Sequence, residues 1–368
     1  MESPSDGQPF ADPIAQAVVS SSCCWQDLGD RAWSLGPLRE PTRGDLVLAE
    51  VTEPGFGFGD SLLEVQGEGG TVDVRPLKAG TVFVGALGDR EAEDEWIALL
   101  PHHFESATPT LDLAAGCGLI SSVQENYLAE VPTRVRILGA IHADGAPVTT
   151  KARRIVRPEP DPRSKVLLFV ADKMNAGKST AALACARALA AKGATVAVGK
   201  VTGTTHRRSI CRMLEAGARV GQSFTDFGYA STKNVPVREL EHLFDSMLSG
   251  LSAEVQDGYV LLELADGFEQ AETKAILALL IRYPVDHVVL CLSGSGDSRE
   301  GPARSVELLD AFSRAHGAPS LLSGCLAAKP LHVDALQKEP AAAAIPLFDA
   351  ATADPHELGL LLKSLSHD

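Results

Sequence analysis

The chain has 368 residues, of which 45% are hydrophobic and 22% charged, and as a length prior this suggests roughly two folded domains. Its net charge is −15, because 48 acidic residues outnumber 33 basic ones. A field of this sign argues against proteins that wrap nucleic acid or bind anionic lipid, so we expect no nucleic-acid partner and no membrane partner.

The cysteines and the N-terminal stretch bear on the cellular location. The seven cysteines are scattered and include no CxxC pair, which favours a reducing, cytoplasmic location over a disulfide scaffold. The opening stretch MESPSDGQPFADP lacks a basic segment followed by an apolar one, so we expect no signal peptide. The longest apolar run, AILALLI, is too short to cross a membrane.

The N-terminal half has the pattern of a small β domain. We expect residues 1–40, which are rich in serine and proline, to be poorly ordered or irregular. Short strand-like segments separated by glycine turns, such as GDLVLAEV and GTVFVGALGD, follow in residues 44–88. They predict a mainly-β domain over residues 41–156, either a barrel or a sandwich, whose role in substrate binding, oligomerisation or docking the sequence leaves open. Three prolines in RPEPDPRSK predict a linker over residues 157–165.

Residues 166–368 show a different pattern, in which strands alternate with helices. The predicted strands are Val166–Ala171, Thr195–Val201, Tyr259–Leu264, His287–Ser293 and Ser320–Ala327. The stretch STAALACARALAAKG between the first two is rich in alanine and stops at a glycine, as helices often do. This alternation predicts an α/β fold, with a parallel sheet covered by helices.

The turn after the first of these strands predicts an anion-binding loop. In KMNAGKST, Gly177, Lys178 and Ser179 lie where the strand gives way to the helix, and backbone N–H groups at such a junction favour an anion. The lysine can reach the β- and γ-phosphates of a nucleotide, and the serine hydroxyl can bind Mg²⁺. We therefore predict ATP and Mg²⁺ as cofactors, bound by Asn175, Ala176, Gly177, Lys178, Ser179 and Thr180.

This loop departs from the ordinary phosphate-binding motif, which has a glycine where this chain has Asp172. It keeps Lys173 four residues before Gly177 and so resembles the deviant Walker A loop, KGGxGK[ST], of the SIMIBI class. That class includes chromosome-partition and division-site ATPases, nitrogenase iron protein and dethiobiotin synthetase. The resemblance implies that Lys173 crosses a dimer interface to the partner's nucleotide, and hence a homodimer. Met174 and Asn175 replace the paired glycines of the motif, although asparagine tolerates positive φ better than most residues.

A second motif lies in YVLLELADG, where four apolar residues precede Glu263 and Gly267 follows. This stretch resembles the Walker B strand of the same class, and the glutamate matches dethiobiotin synthetase better than the partition ATPases. The resemblance implies that Glu263, together with Ser179, holds Mg²⁺ at the carboxyl end of a strand. Asp266 is a second candidate metal ligand.

The stretch VAVGKVTGTTHRRS supplies candidate substrate contacts. It resembles dethiobiotin synthetase and related ligases, which implies that Lys200 lies beside the phosphate loop. The predicted substrate-binding residues are Thr202, Thr204, Arg207 and Arg208. Hydroxyl and guanidinium groups suit a carboxylate or a phosphate, while the alternative for the two arginines is a solvated helix start.

A polar loop, SFTDFGYASTKN, carries Asp226. By analogy it takes a switch or substrate-loop position, with Asp226 as a candidate Mg²⁺ ligand or base, and the alternative is a plain connection.

Three functional hypotheses follow. The first is an ATP- and Mg²⁺-dependent ligase or phosphotransferase that activates a small anionic, carboxylate-type substrate, with Lys173, Lys178, Lys200 and Asp226 as catalytic residues. The second is a regulatory ATPase of the partition type that dimerises with nucleotide. The third is a transferase that uses the loop for coenzyme A. The chain has no NKxD guanine motif, so ATP is preferred over GTP.

Overall fold

The computed structural model describes residues 14, 17–23, 33–56, 62–67, 71–92, 95–127, 130–150, 164–204, 207–267, 270–280, 285–292, 307, 325–328, 347–349 and 351–364. The chain divides into two compact units, formed mainly by residues 1–153 and 154–368. Residues 157–163 of the predicted linker lie outside the described part. None of the described helices is long and apolar enough to span a membrane.

The first unit is built from short strands. In chain order they are β1 (Val18–Val19), β2 (Trp33–Gly36), β3 (Leu46–Glu53), β4 (Leu62–Gln66), β5 (Val72–Pro76), β6 (Val82–Leu87), β7 (Arg90–Glu91), β8 (Trp96–Leu99), β9 (Thr110–Ala115), β10 (Leu119–Asn126), β11 (Arg134–Ala143) and β12 (Ala146–Pro147). Strands β4 and β5 form a separate antiparallel pair, and the other ten belong to one sheet.

Five strands of that sheet together form a closed ring. Pairing runs from β6 to β3, β11, β9 and β10, and β10 then pairs with β6 again. The closing pair is parallel and short, with Leu119 opposite Ala86 and Ile120 opposite Leu87, whereas the other pairs of the ring are antiparallel. Closure removes exposed edges from these strands. Of the two arrangements predicted from sequence, the closed ring is that of a barrel.

Alternate residues along the ring strands belong to different cores. On β3, Leu46 and Leu48 lie in one buried cluster, whereas Val47 and Val51 lie in another. Successive side chains of a strand point to opposite faces, so both faces of β3 are covered by apolar groups.

Two short strands lie within the segment that the sequence predicts to be irregular. Strand β1 (Val18–Val19) pairs with β6, and β2 (Trp33–Gly36) pairs with β11. Two residues are too few to show a period-two pattern, and four are the shortest stretch that can show one. Both strands are defined by pairing with residues distant in sequence, which no local pattern reveals.

The second unit contains a seven-stranded parallel sheet. Its strands are β13 (Lys165–Ala171), β14 (Val196–Lys200), β15 (Val220–Ser223), β16 (Tyr259–Glu263), β17 (His287–Leu292), β18 (Cys325–Ala328) and β19 (Leu347–Asp349), in the spatial order β15-β14-β16-β13-β17-β18-β19. Every neighbouring pair is parallel. The predicted α/β fold with a parallel sheet is therefore confirmed for this unit.

Four of the helices that the structure describes in the second unit lie between these strands in the chain, and a fifth follows β19. They are α1 (Lys178–Ala191), α2 (Arg208–Glu215), α3 (Val237–Glu254), α4 (Ala271–Leu279) and α5 (Pro355–Ser364). Helix α1 packs small residues, among them Ala181, Cys185 and Ala188, into the core on the face of the sheet that carries Phe169 and Val198. Small side chains let the helix approach the sheet closely, which fixes the turn between β13 and α1.

The carboxyl ends of the central strands lie at one edge of this sheet. Glu263 at the end of β16 is in register with Phe169 of β13 on one side and Lys200 of β14 on the other. Loops that follow parallel strands at such an edge commonly form ligand sites. The phosphate-loop candidate, Lys200 and Glu263 are therefore brought to the same edge.

A matched pair of glycines tests the first unit. Gly118 and Gly80 both adopt positive φ, but a Cβ on Gly118 would lie 2.1 Å from the Ser20 side chain, whereas a Cβ on Gly80 has nothing within 4 Å. We expect Gly80→Ala to lower the free energy of unfolding by about 1 kcal/mol and Gly118→Ala by about 2 kcal/mol more. Urea unfolding followed by tryptophan fluorescence measures both, since all three tryptophans precede residue 154. Equal losses of unfolding free energy in the two variants would show that Ser20 does not obstruct a Cβ at position 118.

Candidate functional site

The loop from Asp172 to Gly177 connects β13 to α1 and contains two left-handed residues. Asn175 has φ 59° and Gly177 has φ 95°. Such backbone conformations are unfavourable for most side chains, but glycine adopts them freely and asparagine more readily than most. The replacement of a motif glycine by Asn175 is therefore compatible with the turn.

Neighbouring strands hold the start of this loop. The backbone N–H of Asp172 donates to the carbonyl oxygen of Cys291 at 3.2 Å, and Asp172 Oδ1 accepts from the N–H of Lys173 at 2.9 Å. The loop also lies against Gly267, where a Cβ would come within 2.6 Å of the Asp172 carbonyl oxygen and 2.9 Å of Lys173 Cα. Only a glycine at position 267 permits this approach.

The N-terminus of α1 opens the anion site. Gly177 is its N-cap residue, with no side-chain capping bond, and the first turn contains no acidic residue. The first N–H groups of a helix have no partner within the helix, and the helix dipole makes this end positive. The N–H groups of Lys178, Ser179 and Thr180 can therefore donate to an anion.

Lys178 is buried at this helix end, with 6% of its surface exposed. Its ammonium donates to the carbonyl oxygen of Asp266 at 2.7 Å and, more weakly, to that of Lys173 at 3.4 Å. Burial lowers the pKa of Lys178, the negative charge of Glu263 opposes that effect, and the positive charge of Lys200 adds to it. An ammonium has three N–H donors, so two carbonyl contacts leave one for an anion at the loop.

Ser179 and Glu263 meet beside this lysine. The serine hydroxyl donates to Glu263 Oε1 at 2.9 Å. Glu263 is only 4% exposed, and its other oxygen, Oε2, is buried without a hydrogen-bond partner within the part of the chain that the structure describes. A buried, unpartnered carboxylate oxygen is costly unless a cation compensates it.

A divalent cation fits this pair. Magnesium is usually held by one or two carboxylates, with phosphate oxygens and water completing the shell, rather than by a cage of protein ligands. The described residues contain no cluster of three or more His, Cys, Asp or Glu that could hold a metal. Ser179 and Glu263 are therefore suited to an ion that arrives with phosphate.

Asp266 contributes its backbone carbonyl to the site. It has φ 60°, and this carbonyl accepts the hydrogen bond from Lys178. The role of its carboxylate as a metal ligand stays a prediction.

The loop after β14 is fixed on two sides. Thr202 is 2% exposed, and its hydroxyl accepts from the N–H of Ala265 at 2.9 Å. Gly203 donates to the hydroxyl of Thr232 at 2.8 Å and accepts from the N–H of Thr232 at 3.1 Å. Thr204 follows, in a β-bridge with Ser231. The Thr202 hydroxyl thus accepts a hydrogen bond from the protein's own backbone. Thr204, by contrast, is partly exposed.

Asp226 and Arg207 pair with each other. Their ion pair spans 2.5 Å, and the second oxygen of Asp226 accepts from the N–H of Ser223 at 2.8 Å. One carboxylate oxygen thus holds the short turn after β15, and the other pairs with the arginine that precedes α2. The catalytic role of Asp226 and the substrate role of Arg207 stay predictions that these contacts do not support. Arg208 is exposed at the start of α2, and Thr205 and His206 lie outside the described residues.

The structure thus brings together four of the predicted side chains and one backbone group: Lys178, Ser179, Lys200, Glu263 and the carbonyl of Asp266. Sequence reasoning did not identify Cys291 or Thr273, whose carbonyl and hydroxyl respectively fix the ends of this site. Neither lies in a motif, and the only sequence signal for Cys291 is its place in an apolar strand.

No family model matches the chain, and no curated protein matches it. Among solved structures, the signal recognition particle receptor FtsY from Elizabethkingia anophelis is 16% identical, over 59% of this chain and 69% of that chain, with a TM-score of 0.34. The 54 kDa signal recognition particle protein from Aeropyrum pernix K1, in complex with GDP, is 18% identical over 56% and 50%, with a TM-score of 0.35. A ParA family ATPase from Chlorobium tepidum TLS is 16% identical over 55% and 91%, with a TM-score of 0.32.

Dethiobiotin synthetase is not among these three structures. TM-scores of this size do not establish a shared fold, family or function for this chain.

A second pair of glycines tests the contact beneath the loop. We expect Gly267→Ala to displace the backbone of Asp172 and Lys173 and to weaken nucleotide binding by about tenfold or more. Gly199→Ala is the control, because its Cβ would meet only the side-chain ends of Leu262, Met247 and Leu251, at 2.7–2.9 Å. These can shift, so nucleotide affinity should stay within about twofold of wild type. Calorimetric titration with ATP measures the affinity of both variants. Equal affinities of the two variants would show that the close contact at Gly267 does not position the loop for nucleotide binding.

Proposed function

We propose that the second unit binds a nucleoside triphosphate with Mg²⁺ at the loop over residues 172–180 and transfers its terminal phosphoryl group. One observation carries the proposal: Ser179 bonds to Glu263, whose second oxygen is buried without a described partner, beside the ammonium of Lys178. A hydroxyl, a carboxylate and a lysine in this arrangement suit the metal and phosphates of a nucleotide.

The residues of the loop position the phosphates. The N–H groups at the start of α1 donate to phosphate oxygens, and the remaining N–H of Lys178 reaches the same anion. Ser179 and Glu263 hold the ion, which supplies charge neutralisation across the phosphate chain. Catalysis is then mainly positioning and electrostatic stabilisation, because phosphoryl transfer needs little covalent chemistry from the protein.

For the acceptor, we propose a small anionic molecule of the carboxylate type, activated as an acyl phosphate. The position of Lys200 supports this choice, since its charge acts on Lys178 and it is in register with Glu263. The partly exposed Thr204 and the exposed Arg208 are the candidate acceptor contacts. ATP is the preferred nucleotide, and a cytoplasmic location, where ATP is plentiful, belongs to the same proposal.

Steady-state ATP hydrolysis with and without pooled small carboxylic acids tests the proposal. Strong stimulation by a small acid supports the ligase or phosphotransferase. Stimulation by a protein or DNA partner alone would favour the regulatory ATPase. Binding of coenzyme A without ATP turnover would favour the transferase.

Lys178→Met should weaken ATP binding by about 100-fold or more, because it removes a charge-assisted contact to phosphate from a buried position. Lys192→Met makes the same change at the opposite end of α1 and should keep affinity within about twofold. Calorimetry on both variants, with circular dichroism as the check of folding, measures the difference. Unchanged affinity in Lys178→Met would remove the phosphate-loop assignment.

Glu263→Gln should bind ATP nearly as well as wild type in the absence of Mg²⁺ but lose about 100-fold in Mg²⁺-dependent turnover. The amide keeps the shape of the carboxylate and removes the charge needed by the ion. Glu254→Gln, at the exposed end of α3, is the control and should match wild type. If rate and Mg²⁺ dependence both persist in Glu263→Gln, Asp266 becomes the better metal candidate.

Lys173→Ala should weaken nucleotide-dependent dimerisation while leaving ATP binding to each monomer nearly intact. The resemblance to the deviant Walker A loop implies that the ammonium of Lys173 meets the partner's nucleotide, whose phosphate would pair with it. Light scattering with and without a non-hydrolysable ATP analogue measures this, with Lys192→Ala as the control. A wild-type chain that stays monomeric in both conditions would exclude the hypothesis of a partition-type ATPase that dimerises with nucleotide.

A further inference from the structure

We infer that Thr202 is a positioning residue for Lys178: it holds the turn over residues 264–267 in the conformation that aims the carbonyl of Asp266 at the lysine ammonium. The inference rests on the proposed function, because the nucleotide is the ligand that this lysine meets. It assigns Thr202 a role different from the substrate contact predicted from sequence.

Two consecutive hydrogen bonds connect the two residues. The hydroxyl of Thr202 accepts from the N–H of Ala265 at 2.9 Å, and the carbonyl of the next residue, Asp266, accepts from Lys178 Nζ at 2.7 Å. Thr202 is 2% exposed, so water competes little for its hydroxyl. The position of Ala265 therefore fixes where the Asp266 carbonyl lies.

The turn needs an external support of this kind. Asp266 has φ 60°, a left-handed conformation that costs free energy for residues other than glycine and persists only where the surroundings enforce it. Ala265 is held on both sides, because its N–H meets Thr202 and its carbonyl accepts from the hydroxyl of Thr273 at 3.1 Å. These two threonines clamp the residue that precedes the strained position.

Thr202 is itself held in place. Its predecessor, Val201, donates to the carbonyl of Glu263 at 2.9 Å. Its successor, Gly203, exchanges two hydrogen bonds with Thr232. A Cβ on Gly203 would lie 2.5 Å from that of Ala265, which shows how closely the two segments approach. The backbone on both sides of Thr202 is therefore hydrogen-bonded to neighbouring segments, which positions the hydroxyl.

The consequence concerns the phosphate loop. The Asp266 carbonyl compensates the buried ammonium of Lys178 and orients it, so that its remaining N–H is directed before a nucleotide arrives. Losing the anchor leaves the N–H of the half-buried Ala265 without this acceptor and frees the turn to relax. Nucleotide affinity then falls because the lysine must be oriented during binding.

Calorimetric titration with Mg²⁺–ATP tests the inference on the full chain, at a temperature where circular dichroism shows every variant folded. Thr202→Val keeps the shape and removes the acceptor, and we expect about tenfold weaker binding. Thr202→Ser keeps the acceptor and should restore affinity to within about twofold of wild type.

A threonine in the other unit controls for lost stability. Thr133 is fully buried and accepts from the N–H of Gly55 at 2.8 Å, the same kind of bond as that of Thr202. Thr133→Val should lower the melting temperature and leave the affinity unchanged. If Thr202→Val and Thr133→Val lose melting temperature alike and both bind as wild type does, Thr202 is only structural and the inference is wrong.

Two further outcomes are decisive. If Thr202→Val does not fold, Thr273→Val takes its place, because it releases the other side of Ala265 and should weaken binding several-fold; wild-type affinity in that variant would overturn the inference. If the wild-type chain binds no nucleotide, the proposed function fails first, and that result is distinct from a wild-type chain that binds while Thr202→Val binds equally well.

Discussion

The burial of Glu263 beside Lys178 is the constraint on which this site depends. Glu263 lies at the end of a central strand. One of its oxygens accepts a hydrogen bond from Ser179, and the other has no hydrogen-bond partner among the described residues. Burying a carboxylate costs free energy, and nearby positive charge offsets that cost. Lys178 supplies part of that charge, and burial of its own ammonium makes the two mutually dependent.

The parallel sheet is what brings these groups together. Strand β16 lies between β13 and β14, and parallel strands place their carboxyl ends at one edge. The strand ends at Lys200 and Glu263 and the start of α1 at Lys178 therefore converge there. Close packing then sets their spacing: the phosphate loop lies on Gly267, and the loop after β14 lies on Ala265. The positions of these side chains consequently depend on backbone segments that tolerate little change.

Local sequence patterns predicted the parts of this arrangement that are local. The apolar strands, the alanine-rich helix α1 and the two motifs around Lys178 and Glu263 are each written in consecutive residues. Strand β15, with the sequence VGQS, was not predicted, because four residues that include a glycine and a glutamine lack an apolar pattern.

Contacts between distant residues could not be predicted in this way. The bond between Thr202 and Ala265, and the ion pair between Arg207 and Asp226, depend on side-chain positions that only the folded chain defines. The closed ring of the first unit is similar, since the β6–β10 pairing joins segments more than 30 residues apart.

A crystal structure with a non-hydrolysable ATP analogue and Mn²⁺, located by anomalous scattering, tests the central claim most directly. The expected result is a metal peak at Ser179 and Glu263, with phosphates over the start of α1. Nucleotide bound elsewhere, or a metal away from Glu263, would contradict it.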